Sequence, residues 1–266
     1  MDTAPRYAIL AGGGNLPRMV ELGLKKRGLN VDVITFNAQP QPEGLNVDIS
    51  FPLGKIGSIL KHLKTNNITR VIMAGSLSKP ELKSLKPDVT ALSLLVKARF
   101  NLRHDDALLR LLTNFLESHA IHVVPVQEVV DDLFIPAGVH TKAEPSNTDK
   151  HAIQLGIEAI DQRSQADLGQ AAIVGEGRLI AEEGVAGTAD LIASTKGDFL
   201  VKGTKLGQSM KADVPSVGID TIEALIQGGY KGLAVEAEKT FILDREECIK
   251  RADEAGLIIY AWRRSP

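Results

Sequence analysis

The stretch YAILAGGGNLPRMV, residues 7–20, decides the fold of the first half of the chain. Its apolar run from Tyr7 to Ala11 predicts a buried strand, and three glycines follow that strand directly. From Leu16 to Arg27 the apolar residues recur at helical spacing, and Pro17 in the first turn favours a helix start. A strand, a glycine turn and a helix together predict the opening of a βαβ unit.

The same order of elements repeats over residues 1–134, which we predict to be one domain. Further strands are predicted at 31–36, 49–51, 70–74 and 121–124, and further helices from 54 to about 63 and from Asp105 onwards. This alternation predicts an α/β fold with a doubly wound, Rossmann-like parallel sheet, whose ligands bind at the carboxyl ends of its strands.

Residues 135–149 contain several turn-forming residues and little apolar periodicity, so they are predicted to be a linker. Beyond them, residues 150–266 alternate short apolar strands with helices. The predicted strands are 170–175, 178–181, 199–202, 232–235, 240–243 and 257–262, and the predicted helices include 151–160 and 245–256. The second half is therefore predicted to be a C-terminal mixed α/β domain.

The composition excludes several classes of protein. The chain has 266 residues and a formal net charge of -2, so it has no basic field that would attract nucleic acid. Six histidines and a single cysteine, Cys248, exclude a disulfide framework and argue against a Cys/His zinc site. No apolar run has the length of a signal peptide or a membrane span, and we expect a cytoplasmic protein.

The glycine turn does not match the common phosphate-binding signatures. Counting from Gly12, the dinucleotide fingerprint places Pro17 where its third glycine should stand, and no Lys-Ser/Thr pair follows the glycines. Asp32, the candidate for a ribose contact, lies inside a predicted strand rather than at its end. Two interpretations remain open, a phosphate held at a helix N-terminus or a tight turn without a ligand.

Five short motifs occur together in a characteristic order. They are AGGGNLP (11–17), GKIG (54–57), AGSLSKP (74–80), DDALL (105–109) and the segment from Gln208 to Gly218. In this order and spacing they resemble the UDP-2,3-diacylglucosamine pyrophosphatases of the LpxI family, over essentially the whole chain. The resemblance implies Mg²⁺-dependent hydrolysis of a pyrophosphate to UMP and 2,3-diacylglucosamine 1-phosphate (lipid X), catalysis in the C-terminal domain, and a homodimer. It also implies a substrate with two acyl chains, and so peripheral contact with the inner membrane.

The segment 202–215 contains the residue types that pyrophosphate hydrolysis needs. Three cations, an amide and a carboxylate occur in this short run: Lys202, Lys205, Lys211, Gln208 and Asp213. Asp213 matches the family's essential aspartate, which implies that it binds Mg²⁺ or positions water, with Gln208 and Lys205 as catalytic partners. The alternative is that Asp213 only sets up the turn before Pro215.

Asp105 and Asp106 also have two interpretations. Acids at a helix start are ordinary capping residues, but adjacent carboxylates also suit Mg²⁺. The resemblance further implies substrate contacts, namely Gly12, Gly13, Gly14, Asn15, Leu16, Lys55, Gly75, Ser76, Thr188, Lys202 and Lys211. Gln170 and Glu183 match family positions in the C-terminal domain.

The chain also departs from the family pattern. Ala186 and Ala189 replace two carboxylates that flank the Gly-Thr pair at 187–188, and Ser209 stands at a commonly acidic position. Lys211 replaces an arginine and so lacks the bidentate fork that grips phosphate. The alternative function is therefore a non-catalytic nucleotide-sugar or lipid-phosphate binding protein. An NAD-type oxidoreductase is disfavoured by Pro17 and by the lack of a catalytic histidine or Tyr-x-x-x-Lys set.

Two apolar helical segments are candidates for contact with acyl chains. They are Ala91–Leu95 and Ile222–Ile226, for which the alternative is core packing.

Overall fold

The computed structural model describes residues 5–37, 39, 44–77, 86–97, 105–164, 169–184, 186–205 and 214–264, with backbone only for residues 95, 97, 105–108 and 164. These residues form two compact units, and the chain passes from the first to the second between Asp131 and Asp132.

The first unit is built on a five-stranded, all-parallel sheet in the order β3-β2-β1-β4-β5. Its strands are β1 (Arg6–Ala11), β2 (Val31–Phe36), β3 (Ile49–Phe51), β4 (Ile68–Ala74) and β5 (His122–Val123). Its helices are α1 (Leu16–Lys26), α2 (Ile56–Thr65), α3 (Val89–Lys97) and α4 (Asp105–Ser118), followed by a short 3-10 helix at Val126–Glu128. The predicted Rossmann-like sheet is confirmed.

Helices cover both faces of this sheet because its buried strands are apolar on both sides. On one face, Leu10 and Met73 pack with Leu63 of α2 and Leu116 of α4. On the other face, α1 lies against β1, β2 and β4. The sheet is therefore doubly wound, and the edge at which sheets of this kind bind ligands is the one where β1 and β4 end.

The second unit is built on a six-stranded mixed sheet in the order β6-β13-β11-β9-β7-β8, with a separate two-stranded parallel sheet of β10 and β12. Its strands are β6 (Gly138–Val139), β7 (Ala171–Gly175), β8 (Arg178–Glu182), β9 (Phe199–Lys202), β10 (Ser216–Val217), β11 (Gly232–Glu236), β12 (Phe241–Ile242) and β13 (Ile258–Trp262). Its helices are α5 (Asn147–Ser164), α6 (Thr188–Ser194), α7 (Ile219–Gly228) and α8 (Arg245–Ala255). Helices α6, α7 and α8 pack on one face of the large sheet and α5 on the other. The predicted mixed α/β architecture is confirmed.

The predicted linker at 135–149 is instead part of the second unit. It contains β6, which pairs with β13, and the start of α5. Ile135 is fully buried, and the Thr141 hydroxyl accepts a hydrogen bond from the Ile259 amide at 2.9 Å. A two-residue strand has too few residues to produce a periodic pattern, and only its pairing with a distant strand orders this segment.

The two candidate apolar segments differ in exposure. Ile222 and Leu225 of α7 are fully buried in the core, so core packing explains the segment 222–226. In α3, Ala91 is buried, whereas Leu92 is 54% exposed. In the part of the chain that the structure describes, no helix combines the length and apolar character needed to cross a membrane.

Candidate functional site

A buried polar cluster lies at one edge of the six-stranded sheet, where its three parallel strands end. Strands β9, β11 and β13 are parallel, so their last residues, Lys202, Glu236 and Trp262, meet at this edge. Strand β7 is antiparallel to β9 and begins there, with Ala171 opposite Lys202. The carboxyl edge of parallel strands is where α/β proteins bind ligands, which makes this edge the candidate site of the second unit.

Lys202 ends β9 with its ammonium group directed into this cluster. The side chain is buried, and its Nζ donates to the Ser216 carbonyl at 3.1 Å and to the Thr188 hydroxyl at 3.4 Å. The Thr188 hydroxyl in turn donates to Glu183 Oε1 at 2.6 Å, and Glu183 Oε2 accepts the Gln170 amide at 2.6 Å. We call these five residues the Glu183–Lys202 network.

The network places one buried cation and one buried anion on either side of a single hydroxyl. Glu183 is 7% exposed and Lys202 8% exposed, so each charge would be costly without a partner. Thr188 can join them because its hydroxyl donates to the carboxylate and accepts from the ammonium at the same time. Such a network holds its members in one geometry, and removing the Thr188 hydroxyl takes one hydrogen bond from each of the two buried charges.

Local structure explains how these residues reach one place. Glu183 follows β8, and Thr188 is the first residue of α6, so a short turn brings the hydroxyl back towards the carboxylate. The Arg163 guanidinium of α5 donates to the Glu183 carbonyl at 3.0 Å and fixes the backbone of the turn.

A second buried carboxylate, Glu236, ends β11 at the same edge. Glu236 is 4% exposed, and its Oε2 accepts both the Thr204 amide, at 2.8 Å, and the Thr204 hydroxyl, at 2.7 Å. Arg264 lies beside it, with Nε 3.3 Å from Glu236 Oε1 and the guanidinium 5.7 Å from the centre of the Trp262 ring.

The glycine turn of the first unit joins the loops that follow two neighbouring strands. Gly13 and Ser76 exchange backbone hydrogen bonds of 2.7 and 3.0 Å, and the Gly12 amide donates to the Ala74 carbonyl at 2.8 Å. A Cβ at Gly12 would stand 2.4 Å from the Ser76 carbonyl oxygen, and one at Gly75 2.5 Å from the Gly13 oxygen. Glycine is therefore required at Gly12 and Gly75 for packing, and the amides of Gly12 and Gly13 already have backbone acceptors.

The rest of the turn leads into α1. Gly14 has a φ of 86°, and a Cβ there would meet nothing within 4 Å. Asn15 is the N-cap of α1 and makes no side-chain capping bond, and Leu16 begins the helix. The part of the turn suited to a phosphate is thus Gly14 to Leu16, at the positive end of the helix dipole.

Lys55 stands at the N-cap of α2, half-buried. Beside it, Asp88 binds the starts of two helices: its Oδ2 accepts the Gly57 amide and its Oδ1 accepts the Ala91 amide, both at 2.8 Å. The helix N-terminus at Lys55 therefore already has an anionic partner within the protein.

Several predicted site residues lie outside the described part of the chain. Gln208, Lys211 and Asp213 fall there, as does Ser209, and the side chains of Asp105 and Asp106 are not described at the start of α4. Lys205 is described, and the residues that follow it, 206–213, are not. Among the described residues, no group of three or more His, Cys, Asp or Glu side chains could hold a metal ion.

The structure brings some predicted residues together and adds others. Thr188 and Lys202 meet in the Glu183–Lys202 network, whereas the sequence did not predict Glu236, Thr204 or Arg264. One signal for Glu236 was present, since an acid directly follows a predicted buried strand at the edge where ligands bind.

Two family descriptions cover almost the whole chain. The LpxI N-terminal domain matches residues 6–133, and the LpxI C-terminal domain matches residues 136–260. The chain belongs to the LpxI family. The short gap between the two LpxI domains falls close to the boundary between the two structural units at Asp131 and Asp132.

A curated relative agrees with this membership. The protein named UDP-2,3-diacylglucosamine pyrophosphatase LpxI, from Caulobacter vibrioides, is 29% identical, and the match covers 96% of each chain. A solved structure of CobK precorrin-6A reductase shares 15% identity and covers 99% of this chain and 89% of that chain, with a TM-score of 0.34. That likeness is too weak to inform fold or function.

Proposed function

We propose that the protein hydrolyses the pyrophosphate bond of UDP-2,3-diacylglucosamine to UMP and lipid X, a step of lipid A biosynthesis. Membership of the LpxI family and the activity named for the Caulobacter relative support the substrate. The observation that carries the proposal is the Glu183–Lys202 network, which unites four residues from motif-matching positions, Gln170, Glu183, Thr188 and Lys202, at the candidate edge of the sheet.

The chemistry requires few parts. Water attacks one phosphorus and loses a proton to a nearby carboxylate or to solvent, so that a new P–O bond forms. The bridging P–O bond breaks with its electron pair leaving on the departing phosphate. Cations near the phosphoryl oxygens stabilise the charge that develops. In this proposal Lys205 and Lys211 supply such charge, and the Asp213 carboxylate binds Mg²⁺ or positions the water. Lys202 fixes the end of β9, from which the segment with these residues begins.

Mg²⁺ is part of the proposal from the resemblance alone. The candidate ligands are Asp213, Asp105 and Asp106, whose side chains lie outside those described, so we assign no step to the ion. When bound, it would neutralise charge on the phosphoryl oxygens. Turnover should then disappear in EDTA and return on addition of Mg²⁺, and isothermal titration should detect Mg²⁺ binding that Asp213→Ala weakens.

The test of the reaction is phosphorus NMR of UDP-2,3-diacylglucosamine with purified protein and Mg²⁺ in ¹⁸O-enriched water. The proposal expects UMP and lipid X, with an isotope shift on the phosphorus that water attacked. Asp213→Ala should abolish the products while substrate binding persists. Asp220→Ala, the same change at an exposed position in the first turn of α7, is the matched control.

The opposite result would favour the alternative function. If the wild-type protein binds the lipid and leaves the pyrophosphate signal unchanged, it is a binding protein. Ala186 and Ala189, both exposed beside Thr188, would then mark the lost activity.

The proposal extends to the setting of the enzyme. We place it in the cytoplasm as a homodimer that contacts the inner membrane peripherally to reach a diacylated substrate. Light scattering tests the dimer. Sedimentation with anionic phospholipid vesicles tests the membrane contact.

A further inference from the structure

Helix α3 carries the two most exposed large apolar side chains in the described part of the chain. Val89 is 86% exposed and Val96 67%, and Leu92 between them is 54% exposed. Their spacing of i, i+3 and i+7 places all three on one face of the helix. We call these three residues the α3 stripe. Single exposed apolar residues need no explanation, but a contiguous group on one face marks an interaction surface.

The opposite face of α3 is already used for packing within the first unit. Ala91 is buried, and the Thr90 hydroxyl lies so near α2 that a Cβ at Gly57 would stand 2.8 Å from it. Asp88 joins the starts of the two helices, since its Oδ1 accepts the Ala91 amide and its Oδ2 the Gly57 amide. The α3 stripe is therefore turned away from α2, on a helix that is held in place.

The polar groups around the α3 stripe suit an anionic surface. From residue 86 to residue 97 the cations are Lys86 and Lys97, and the one carboxylate, Asp88, is already bound to helix amides. Lys86 is exposed. Ser93 lies on the same face as the stripe, and its hydroxyl donates to the Thr90 carbonyl at 2.8 Å, so it can leave water without losing its partner. Lysines beside an apolar face can hold their ammonium groups at lipid phosphates while their stems lie along the apolar surface.

The area of the α3 stripe argues for a lipid surface rather than a second protein chain. Its three side chains expose on the order of 300 Å², whereas a stable protein interface buries about 800 Å² on each partner. A helix that lies in a membrane interface needs less, because a few apolar side chains and the attraction of cations to anionic lipids suffice for reversible binding.

We propose that the α3 stripe is the surface by which this protein binds reversibly to an anionic phospholipid bilayer. Val89, Leu92 and Val96 enter the boundary between headgroups and acyl chains, and Lys86 lies at the phosphates. This inference deepens the membrane contact of the proposed function and rests on that function for its purpose, because a diacylated substrate resides in a bilayer. The binding itself does not require turnover.

The first test is sedimentation of the full-length protein with vesicles of phosphatidylglycerol and phosphatidylethanolamine, and with vesicles of phosphatidylcholine alone. We expect binding to the anionic vesicles that weakens in about 0.5 M salt. Leu92→Gln should lower the partition coefficient by about fivefold and Leu92→Gln/Val96→Gln by about tenfold or more, because apolar area is lost from the contact. Lys86→Glu should lower only the binding to anionic vesicles, by about fivefold or more.

Leu22→Gln is the matched control for Leu92→Gln. Leu22 is 55% exposed on α1 of the same unit, so the same change at nearly the same exposure should leave vesicle binding unchanged. Glutamine is a good helix former, and both positions are exposed, so circular dichroism should show that both variants fold.

Leu92→Trp gives a gain of signal at the position itself. The single native tryptophan, Trp262, is buried. On addition of anionic vesicles, the emission of an indole at position 92 should shift to shorter wavelength and be quenched by brominated lipids. Leu22→Trp should show neither change.

Three results would overturn the inference directly. They are wild-type protein that stays in the supernatant with anionic vesicles, Leu92→Gln that binds as well as the wild type, and Leu92→Trp that brominated lipids do not quench. A loss of vesicle binding in Leu22→Gln equal to that in Leu92→Gln would also overturn it, because the contact would then not be specific to α3.

Two further measurements identify other occupants of the α3 stripe. If light scattering shows that Leu92→Gln turns a dimer into a monomer, the stripe is a subunit interface. If Leu92→Gln lowers turnover of substrate dispersed in detergent, the stripe contacts the acyl chains of the substrate. Either result would overturn the bilayer as occupant. Vesicle binding by wild-type protein that forms no UMP would overturn the proposed function and leave the binding surface supported.

Discussion

Thr188 is a residue whose hydroxyl lies between two buried charges. It donates to Glu183 at 2.6 Å and accepts from Lys202 at 3.4 Å, so valine in its place leaves both charges without their shared partner. Because a hydrogen bond to a charged group contributes about 1.5–3 kcal/mol, Thr188→Val should lower the free energy of unfolding by about that amount and reduce turnover. Chemical denaturation and the phosphorus NMR assay measure the two effects.

Thr188→Ser is the matched control, since it keeps the hydroxyl and removes only a methyl group. It should resemble the wild type in both measurements. Equal stability and activity of the valine and serine variants would contradict the role that the geometry gives to this hydroxyl.

Cys248, the single cysteine, is a buried free thiol. Burial, with the nearby charges of Asp244 and Glu247, raises its pKa to about 11. A raised thiol pKa means that the protonated form dominates at neutral pH, with a thiolate fraction on the order of 10⁻³ at pH 8. Native protein should therefore not react with DTNB at pH 8, whereas urea-unfolded protein should release one equivalent. Rapid labelling of the native protein would contradict the burial.

At the scale of elements, the backbone pairing between the loops after β1 and β4 explains why glycines directly follow β1. A Cβ at Gly12 would stand 2.4 Å from a backbone oxygen of Ser76, and backbone cannot move aside as a flexible side chain can. We expect Gly12→Ala to cost more than about 2 kcal/mol of stability, by overpacking. Gly14→Ala has open space and only a positive φ to strain, so it should cost about 1 kcal/mol.

Thermal and chemical unfolding of the two variants distinguish a packing role from a ligand role. If Gly12→Ala is as stable as Gly14→Ala and differs only in substrate binding, Gly12 serves the ligand directly. The expected order, with Gly12→Ala clearly the less stable, leaves Gly14 to Leu16 as the part of the turn that can meet a phosphate.

The sequence predicted elements well where burial alone determines them. The apolar runs of β1 and β4 identify strands buried on both faces, and their alternation with helices predicts a parallel sheet. The strand β6 was missed because a two-residue strand exists only through its partner, β13. Helix and strand periods therefore predicted most of the architecture, and tertiary pairing determined the rest.

The candidate site was less predictable for a different reason. Thr188 and Lys202 were named by motif resemblance, but only the fold shows that the Thr188 hydroxyl joins Lys202 to Glu183. Glu236 and Arg264 stand 28 residues apart, and no periodic signal connects a strand-end acid to an arginine near the end of the chain. Buried ionic contacts of this kind depend on three-dimensional proximity, which composition and spacing do not encode.

At the scale of the whole molecule, each structural unit has its own buried core and a buried ionisable side chain that is hydrogen-bonded within the unit. In the first, Glu21 of α1 accepts Lys25 at 2.6 Å and Asn46 at 3.1 Å. Burial opposes the ionisation of Glu21, but these hydrogen bonds and the charge of Lys25 outweigh it and lower its pKa below the ordinary 4.5. In the second, the buried Tyr230 hydroxyl donates to the Thr195 carbonyl at 2.8 Å, and burial raises its pKa.

The contributions of Glu21 and Tyr230 to stability should respond differently to acid. A lowered carboxyl pKa stabilises the folded state above pH 4.5, and that contribution is lost as pH falls through the folded pKa. Native-state amide exchange, corrected for intrinsic rates, measures this effect. In the wild type the protection of β1 amides should fall between pH 7 and pH 4, and in Glu21→Gln it should fall less. Tyr230→Phe should weaken protection near α6 by about 1 kcal/mol equally at both pH values, because a tyrosine hydroxyl does not titrate in that range.

In the double variant each effect should persist at its own site, since the two residues share no partner. Acid sensitivity of β1 that is unchanged by Glu21→Gln would show that other carboxylates set the response of the first unit.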